Sequence, residues 1–208
     1  MISRRHLLGT ALILGAGAAL LPRASSAAAG DEPVVLIQRF YDTLLECMKR
    51  GPELGFDGRF ALVQPVLNDV FDVATMCRIA VGPDWTLMPG DKKGELLQTF
   101  DRYIITTYAG RFRSFNNQKF DVGEAKPAGD GRVLLHTKLL RSNGEPVELN
   151  YLFRFNDNTW RVIDIYLAGA ISQMAQLRSE FAQSLRQGGA DALMASLEEK
   201  ILDLKKES

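Results

Sequence analysis

The sequence predicts an α+β domain in which helices cover one face of a curved, four-stranded antiparallel sheet. Apolar residues recur at helical spacing up to about residue 112, and again after residue 171. Between residues 119 and 166 they alternate with polar residues in four segments that are joined by short turns. Because short turns connect neighbouring antiparallel strands, these four segments are expected to form a meander.

The first helix is predicted over residues 33–50, where Pro33 suits the first turn and Gly51 and Pro52 end the pattern. The following segment, residues 60–70, contains Pro65 in its middle. Because proline lacks an amide hydrogen and clashes with the preceding turn, we expect two short helical turns here.

Two further helices are predicted before the sheet. Asp72 is expected to cap a helix over residues 73–81, and Asp91 a long helix that ends near Phe112. Gly82 and Pro83 stop the first of these helices, so Trp85 is expected in a loop.

The four predicted strands carry one strongly apolar face, which must be covered by helices. Two helices, separated by Gly188 and Gly189, are expected to complete the chain. The predicted strands are residues 119–125, 132–140, 147–155 and 159–166.

The N-terminal segment has the composition of an export signal. Arg4 and Arg5 precede an apolar run over residues 7–21, which is shorter than the roughly 20 residues of a membrane span. Small residues follow at 25–29. We therefore interpret residues 1–29 as a signal peptide of the twin-arginine type, with an ordinary secretory signal as the alternative, and residues 30–208 as one domain.

Charge and cysteine content exclude several function classes. The whole chain has equal numbers of acidic and basic residues, and loss of the signal removes basic residues alone, which leaves the domain weakly acidic. A weakly acidic domain has no electrostatic reason to bind nucleic acid. Cys47 and Cys77 could form a disulfide in an exported protein or lie buried as thiols. With no paired cysteine motif and one histidine outside the signal, no metal or cofactor is expected.

Candidate catalytic residues are few. His136 lies on the polar face of its strand, which favours an exposed histidine, and no nucleophile or phosphate-binding motif is present. Asp164, near the end of an apolar strand, is the best candidate for a general base. The structural role, which we favour, is that Asp164 caps the final helix or pairs with a cation, for which Arg178 is a candidate partner.

Four segments resemble MlaC-type proteins, also called the toluene-tolerance family. One runs from Phe71 through Gly82 to Trp85, and another contains Trp160, Asp164, Gly169, Arg178 and Phe181. The remaining two are Phe100 with Tyr108 and Ala109 on the long helix, and Gly188 with Leu193 and Leu197. The similarity extends over about residues 33–200. Ser172, three residues after Gly169, is more similar to the branch of the family associated with hopanoid biosynthesis.

The resemblance implies a periplasmic lipid-binding protein, not an enzyme, with a cone-shaped fold like that of nuclear transport factor 2 and extra helices. Such a protein carries a phospholipid, or here a hopanoid, between an inner-membrane lipid transporter and an outer-membrane lipid complex, and a monomer is expected. The lipid tails would lie between the sheet and the helices.

Pattern and resemblance together select ten apolar or aromatic residues as candidate cavity lining. Two other functions stay open: an exported enzyme that uses Asp164, and a ligand-free adaptor of a membrane complex. The candidate ligand-binding residues are Phe71, Met76, Trp85, Phe100, Tyr103, Ile104, Tyr108, Tyr151, Phe153 and Ile165.

Overall fold

The computed structural model describes residues 28–142 and 144–208. The predicted signal peptide thus lies outside the described residues, apart from the two at its C-terminal end. Helices precede and follow a block of strands, as the α+β prediction requires. The elements are α1 (Ala28–Lys49), α2 (Gly51–Val70), α3 (Val73–Val81), α4 (Asp84–Leu87), α5 (Gly90–Arg111), β1 (Lys119–Pro127), β2 (Arg132–Leu140), β3 (Val147–Asn156), β4 (Thr159–Leu167), β5 (Ile171–Ser172) and α6 (Gln173–Lys206).

The predicted meander is confirmed: strands β1 to β5 lie in sequence order, and each pairs antiparallel with the next. The described sheet has five strands where four were predicted. The additional strand, β5, has two residues, and it pairs with Tyr166 and Leu167 of β4. It forms because Ala168 and Gly169 both adopt positive φ angles and turn the chain back onto the edge of β4.

A β-bulge in β4 decides which residues face the helices. Phe153 pairs with Val162 and Leu152 pairs with Asp164, so that Ile163 has no partner on β3. Strict alternation would place Val162 and Ile165 on opposite faces of the sheet. The extra residue instead brings both onto the face that carries Phe153 and Tyr151.

Three details of the helices differ from the predictions. Helix α2 continues through Pro65 and is broken at Gly55, where φ is 58°. The neighbours of Pro65, Val63 and Val66, are buried, and their packing outweighs one lost backbone hydrogen bond. Helix α5 starts at Gly90 after Pro89, so Asp91 lies in its first turn and makes no capping bond. Trp85 belongs to the short helix α4 instead of a loop.

Asp72 caps helix α3 as predicted, and it also ties that helix to the sheet. Its carboxylate accepts hydrogen bonds from the backbone amide of Thr75 at 2.9 Å and from the Thr75 hydroxyl at 2.7 Å. Arg154 on β3 donates to the same carboxylate at 3.0 Å. Next to it, Phe71 forms a parallel β-bridge with Val162. The start of α3 is therefore held against β4.

We predict that Asp72→Ala lowers the free energy of unfolding by about 2 kcal/mol, because it removes a helix cap and the partner of a half-buried arginine. Urea denaturation measures the change. Asp69→Ala is the matched control: Asp69 forms an ion pair with Arg39 in which both side chains are more than half exposed. Its loss is expected to cost less than about 0.5 kcal/mol. Equal effects of the two substitutions would contradict this role for Asp72.

Both cysteines have free thiols in the apolar core, so the structure supports the buried-thiol alternative. Burial raises the pKa of Cys47 from 9.0 to about 11, although nearby Arg59 opposes the shift. Burial likewise raises the pKa of Cys77 to about 12. Both thiols are therefore protonated and unreactive in the folded protein at neutral pH.

These shifts predict a loss of stability in alkaline solution. Below about pH 9 the thiols are protonated in the folded and the unfolded chain, and they make no pH-dependent contribution. Between pH 9 and 11 the unfolded chain releases protons that the folded chain keeps. The free energy of unfolding should then fall by up to about 1.4 kcal/mol per pH unit for each thiol.

Urea denaturation at intervals from pH 8 to 10.5 tests this expectation. The variant Cys77→Ala should show a shallower decline than the parent, because one of the two thiols is absent. A free energy of unfolding that stays constant over this range would contradict the burial of the thiols.

Candidate functional site

A cavity of about 250 Å³ lies between the sheet and the helices. Its walls come from the C-terminal half of α5, the first half of α6, one residue of α3, and the helix-facing sides of β3 and β4. The lining residues are Met76, Tyr103, Ile104, Thr107, Tyr108, Arg111, Phe112, Leu149, Tyr151, Ile165, Leu167, Gln173, Met174, Gln176, Leu177 and Glu180.

The lining divides into a buried apolar part and an exposed polar part. Met76, Tyr151 and Met174 are each at most 2% exposed. Arg111 and Glu180, by contrast, are exposed to solvent. The polar residues come from α5 and α6, so the mouth of the cavity lies between these two helices and the apolar floor lies against the sheet.

Six of the ten predicted lining residues line this cavity: Met76, Tyr103, Ile104, Tyr108, Tyr151 and Ile165. The other four lie elsewhere. Phe71, Phe100 and Phe153 are fully buried in the core, where Phe71 packs edge-on against Phe40 and Phe100 against Phe181. Trp85 is half-buried on α4, below the ammonium group of Lys93. Whether the six residues contact a ligand stays a prediction.

The contribution of α6 to the lining was not predicted from the sequence. This helix supplies Gln173, Met174, Gln176, Leu177 and Glu180. Their spacing of three and four residues does place them on one helical face. Three of the five are polar, however, and a polar face normally indicates a helix surface in contact with water. Here the polar face is the rim of a cavity.

Buried tyrosine hydroxyls supply the polar groups of the interior. The hydroxyls of Tyr41 and Thr137 are hydrogen-bonded, and Thr137 in turn donates to the carbonyl of Leu149. Burial raises the pKa of Tyr41 to about 12, and it raises the pKa values of Tyr108 and Tyr151 further. Tyrosine hydroxyls are uncharged at neutral pH in any case, and burial extends this neutral state to higher pH, so the floor of the cavity is a neutral surface.

Asp164, the candidate general base, caps helix α6. It is 6% exposed, and its carboxylate accepts from the amide of Ile165 at 2.7 Å, the hydroxyl of Ser172 at 2.6 Å and the amide of Met174 at 3.2 Å. The Ser172 hydroxyl accepts from the amide of Ala175 at 3.0 Å. Asp164 is not among the described residues that line the cavity. The geometry thus favours the structural alternative.

The candidate pairing of Asp164 with Arg178 is wrong. The guanidinium of Arg178 donates from Nε to the carbonyl oxygen of Ile79, at 2.9 Å. Ile79 lies in the last turn of α3, where backbone carbonyls lack helical partners. The arginine passes close to Gly82, where φ is 70° and a side chain would approach Arg178 Nε to 3.2 Å. Arg178 therefore fastens α6 to α3.

We predict that Asp164→Ala lowers the free energy of unfolding by about 2 kcal/mol, because three hydrogen-bond donors lose a buried acceptor. Ser172→Ala should cost about 1 kcal/mol, the usual value for a helix cap. Chemical denaturation of both variants gives the comparison. Full stability of the Asp164→Ala variant would rule out the capping role.

Within the described ranges, no cluster of three or more histidine, cysteine, aspartate or glutamate side chains could hold a metal ion. No described helix has the length and apolar character that a membrane span requires.

An open antiparallel sheet with helices over a cavity that has an apolar floor and a polar mouth is the architecture of a small-molecule binding protein. The family model described as "MlaC protein" matches residues 38–199, and the chain therefore belongs to the MlaC family. Among curated proteins, no sequence matches this chain.

A solved structure gives a three-dimensional comparison. It is a phospholipid-binding protein from Ralstonia solanacearum, determined in complex with a phospholipid. The two chains are 26% identical and superpose with a TM-score of 0.70, over 82% of this chain and 97% of the other. The resemblance to MlaC-type proteins is thus confirmed for the family and the fold, and the assignment to the hopanoid-associated branch stays a prediction.

Proposed function

We propose that this protein is a periplasmic lipid carrier that holds the acyl chains or ring system of a phospholipid or hopanoid in the cavity between the sheet and helices α5 and α6. The observation that carries the proposal is the apolar floor of this cavity, in a member of the MlaC family. The phospholipid complex of the R. solanacearum protein, which has the same fold, supports it.

The energetics explain why a carrier is needed. Exposing one CH₂ group to water costs about 0.8 kcal/mol, so one 16-carbon chain costs on the order of 12 kcal/mol. A lipid with two such chains cannot cross an aqueous compartment unaided at a useful rate. An apolar cavity offers the lipid an environment similar to the bilayer, so that moving it between membrane and protein changes its free energy little. Docking of the carrier to a membrane complex can then decide the direction of transfer. The partners we propose are an inner-membrane lipid transporter and an outer-membrane lipid complex, with the carrier acting as a monomer.

The cavity must widen to hold a two-chain lipid. Its volume of about 250 Å³ is below the roughly 300–1,000 Å³ of ordinary small-molecule sites. Helix α6 offers a way to widen it, because its helical geometry is interrupted at Gly188 and Gly189. The part of α6 before this break carries the lining residues. We propose that this part moves away from α5 when lipid enters.

The two alternative functions have less support. An enzyme that uses Asp164 would need this carboxylate at the cavity, whereas its oxygens already accept three hydrogen bonds at the start of α6. A ligand-free adaptor would have no use for a cavity with an apolar floor. Binding, without covalent chemistry, is the function that this arrangement of residues favours.

We predict that the protein purified from a native-like host carries extractable lipid in near-stoichiometric yield, measured by mass spectrometry of an organic extract. Leu177→Glu should reduce that yield at least fivefold, because it places a carboxylate on the apolar wall. Leu202→Glu is the control: Leu202 is 57% exposed on the same helix and does not line the cavity. A wild-type extract without lipid would contradict the proposal.

The enzyme alternative makes a different prediction for Asp164→Asn, which keeps the size of the side chain and removes its charge. A carrier with this substitution should retain its lipid, provided that circular dichroism shows an intact fold. If the folded Asp164→Asn variant kept its lipid but lost the turnover of a substrate by the wild-type protein, that result would support the enzyme and contradict a pure carrier.

A further inference from the structure

We infer that the mouth of the cavity is a binding site for a phosphate group on the carried lipid, and that Arg111 is the residue that binds it. The inference rests on the proposed carrier function and selects a phosphate-bearing head group over a neutral, hydroxylated one. Four observations support it: the position of Arg111, its lack of an acidic partner, the charges at the rim, and the first amides of α6, which already have hydrogen-bond acceptors.

Arg111 lies in the last turn of α5, one turn after Tyr108, and both residues line the cavity. Tyr108 is half-buried and packs against the apolar core, whereas Arg111 is exposed at the mouth. A lipid whose tails reach the floor must pass its polar end through this mouth. The guanidinium therefore lies at the exposed end of the cavity, where a head group would stay in water.

No carboxylate of the described residues forms an ion pair with Arg111. A basic residue in the last turn of a helix does interact favourably with the helix dipole. That interaction leaves all five N–H donors of the side chain available. An exposed arginine with free donors at the mouth of a cavity can bind an anion without first breaking a salt bridge.

The charges of the described lining residues, those of Arg111 and Glu180, sum to zero, and Lys200 beside the lining adds one positive charge. Glu180 is the acidic residue among the described lining residues, and the ammonium of Lys200 binds its carboxylate at 2.9 Å. This pair is close to neutral as a unit. The charge of Arg111 is therefore not cancelled at the mouth, and the local field favours an anion.

Other groups at the rim could hydrogen-bond to a head group but could not select an anion. The first amides of α6, a potential anion site, are already occupied: Asp164 accepts from Met174 and Ser172 accepts from Ala175. The side chains of Gln173 and Gln176 are uncharged and would serve a hydroxylated head group equally well. The planar guanidinium of Arg111 matches two phosphate oxygens at once, and this match provides the selectivity.

The test compares two lipids with identical acyl chains, phosphatidic acid and diacylglycerol, for binding to lipid-stripped protein. Binding is measured by displacement of a fluorescent fatty-acid probe. We expect the wild-type protein to bind phosphatidic acid about tenfold more tightly than diacylglycerol, since one charged hydrogen-bonding group at a partly exposed site has an effect of this size. In Arg111→Gln the ratio of the two affinities should fall to about one, mainly because phosphatidic acid binds more weakly. The preference should also shrink as salt is added.

Arg113→Gln is the matched control, because Arg113 is exposed two residues later and is not among the lining residues. It should keep the full preference for phosphatidic acid. Equal binding of both lipids by the wild-type protein would overturn the phosphate site and leave the carrier function intact. A parallel loss of both affinities in Arg111→Gln would also overturn it, since that result indicates a structural role. Failure of the wild-type protein to bind either lipid would overturn the carrier function as well.

Discussion

The carboxylate of Asp164 joins the sheet to the helix that forms one wall of the cavity. Its oxygens accept hydrogen bonds from the hydroxyl of Ser172 and the amide of Met174, which begin α6, while the same residue remains part of β4. A buried carboxylate is stable only when such donors surround it, so the strand end and the helix start must stay together. Much of the geometry of the cavity depends on this contact, because it sets the point from which α6 crosses the sheet.

Two further contacts hold the frame around the cavity. Arg178 fastens α6 to the last turn of α3, and Asp72 fastens the first turn of α3 to Arg154 on the sheet. The bulge at Ile163 then turns Val162 and Ile165 toward the same side. Helix α3 is thereby held at both ends. The first half of α6 is held at its start by Asp164 and near its middle by Arg178, and its helical geometry is interrupted at Gly188 and Gly189. The proposed widening of the cavity therefore requires the contact between Arg178 and α3 to be released or to move with the helix.

The chemistry of the interior agrees with binding rather than catalysis. The tyrosine hydroxyls of the floor are neutral, as tyrosines ordinarily are at pH 7, and burial raises their pKa values further. The buried aspartate serves as a helix cap. Among the described lining residues, the charged ones lie at the mouth, where Glu180 is paired with Lys200 and Arg111 faces water. A molecule with an apolar body and one anionic end fits such a distribution of charge.

The sequence by itself determined the class of the fold, the four long strands, the cap at Asp72 and the break at Gly188 and Gly189. These features depend on local periodicity, turn residues and capping, which operate over a few residues. Six of the ten residues predicted from apolar patterns and family resemblance do line the cavity. The pattern could not separate Tyr108 and Ile165, which line the cavity, from Phe71 and Phe153, which fill the core, because all four are equally apolar.

Tertiary structure alone decided the remaining features. The continuation of α2 through Pro65 depends on the burial of its neighbours, and the shared orientation of Val162 and Ile165 depends on a bulge that pairing with β3 creates. The partner of Arg178 proved to be a carbonyl on α3, ninety-nine residues away in sequence. Whether an apolar residue fills the core or borders a cavity depends on how elements that are distant in sequence pack together. A local sequence pattern contains no information about that packing.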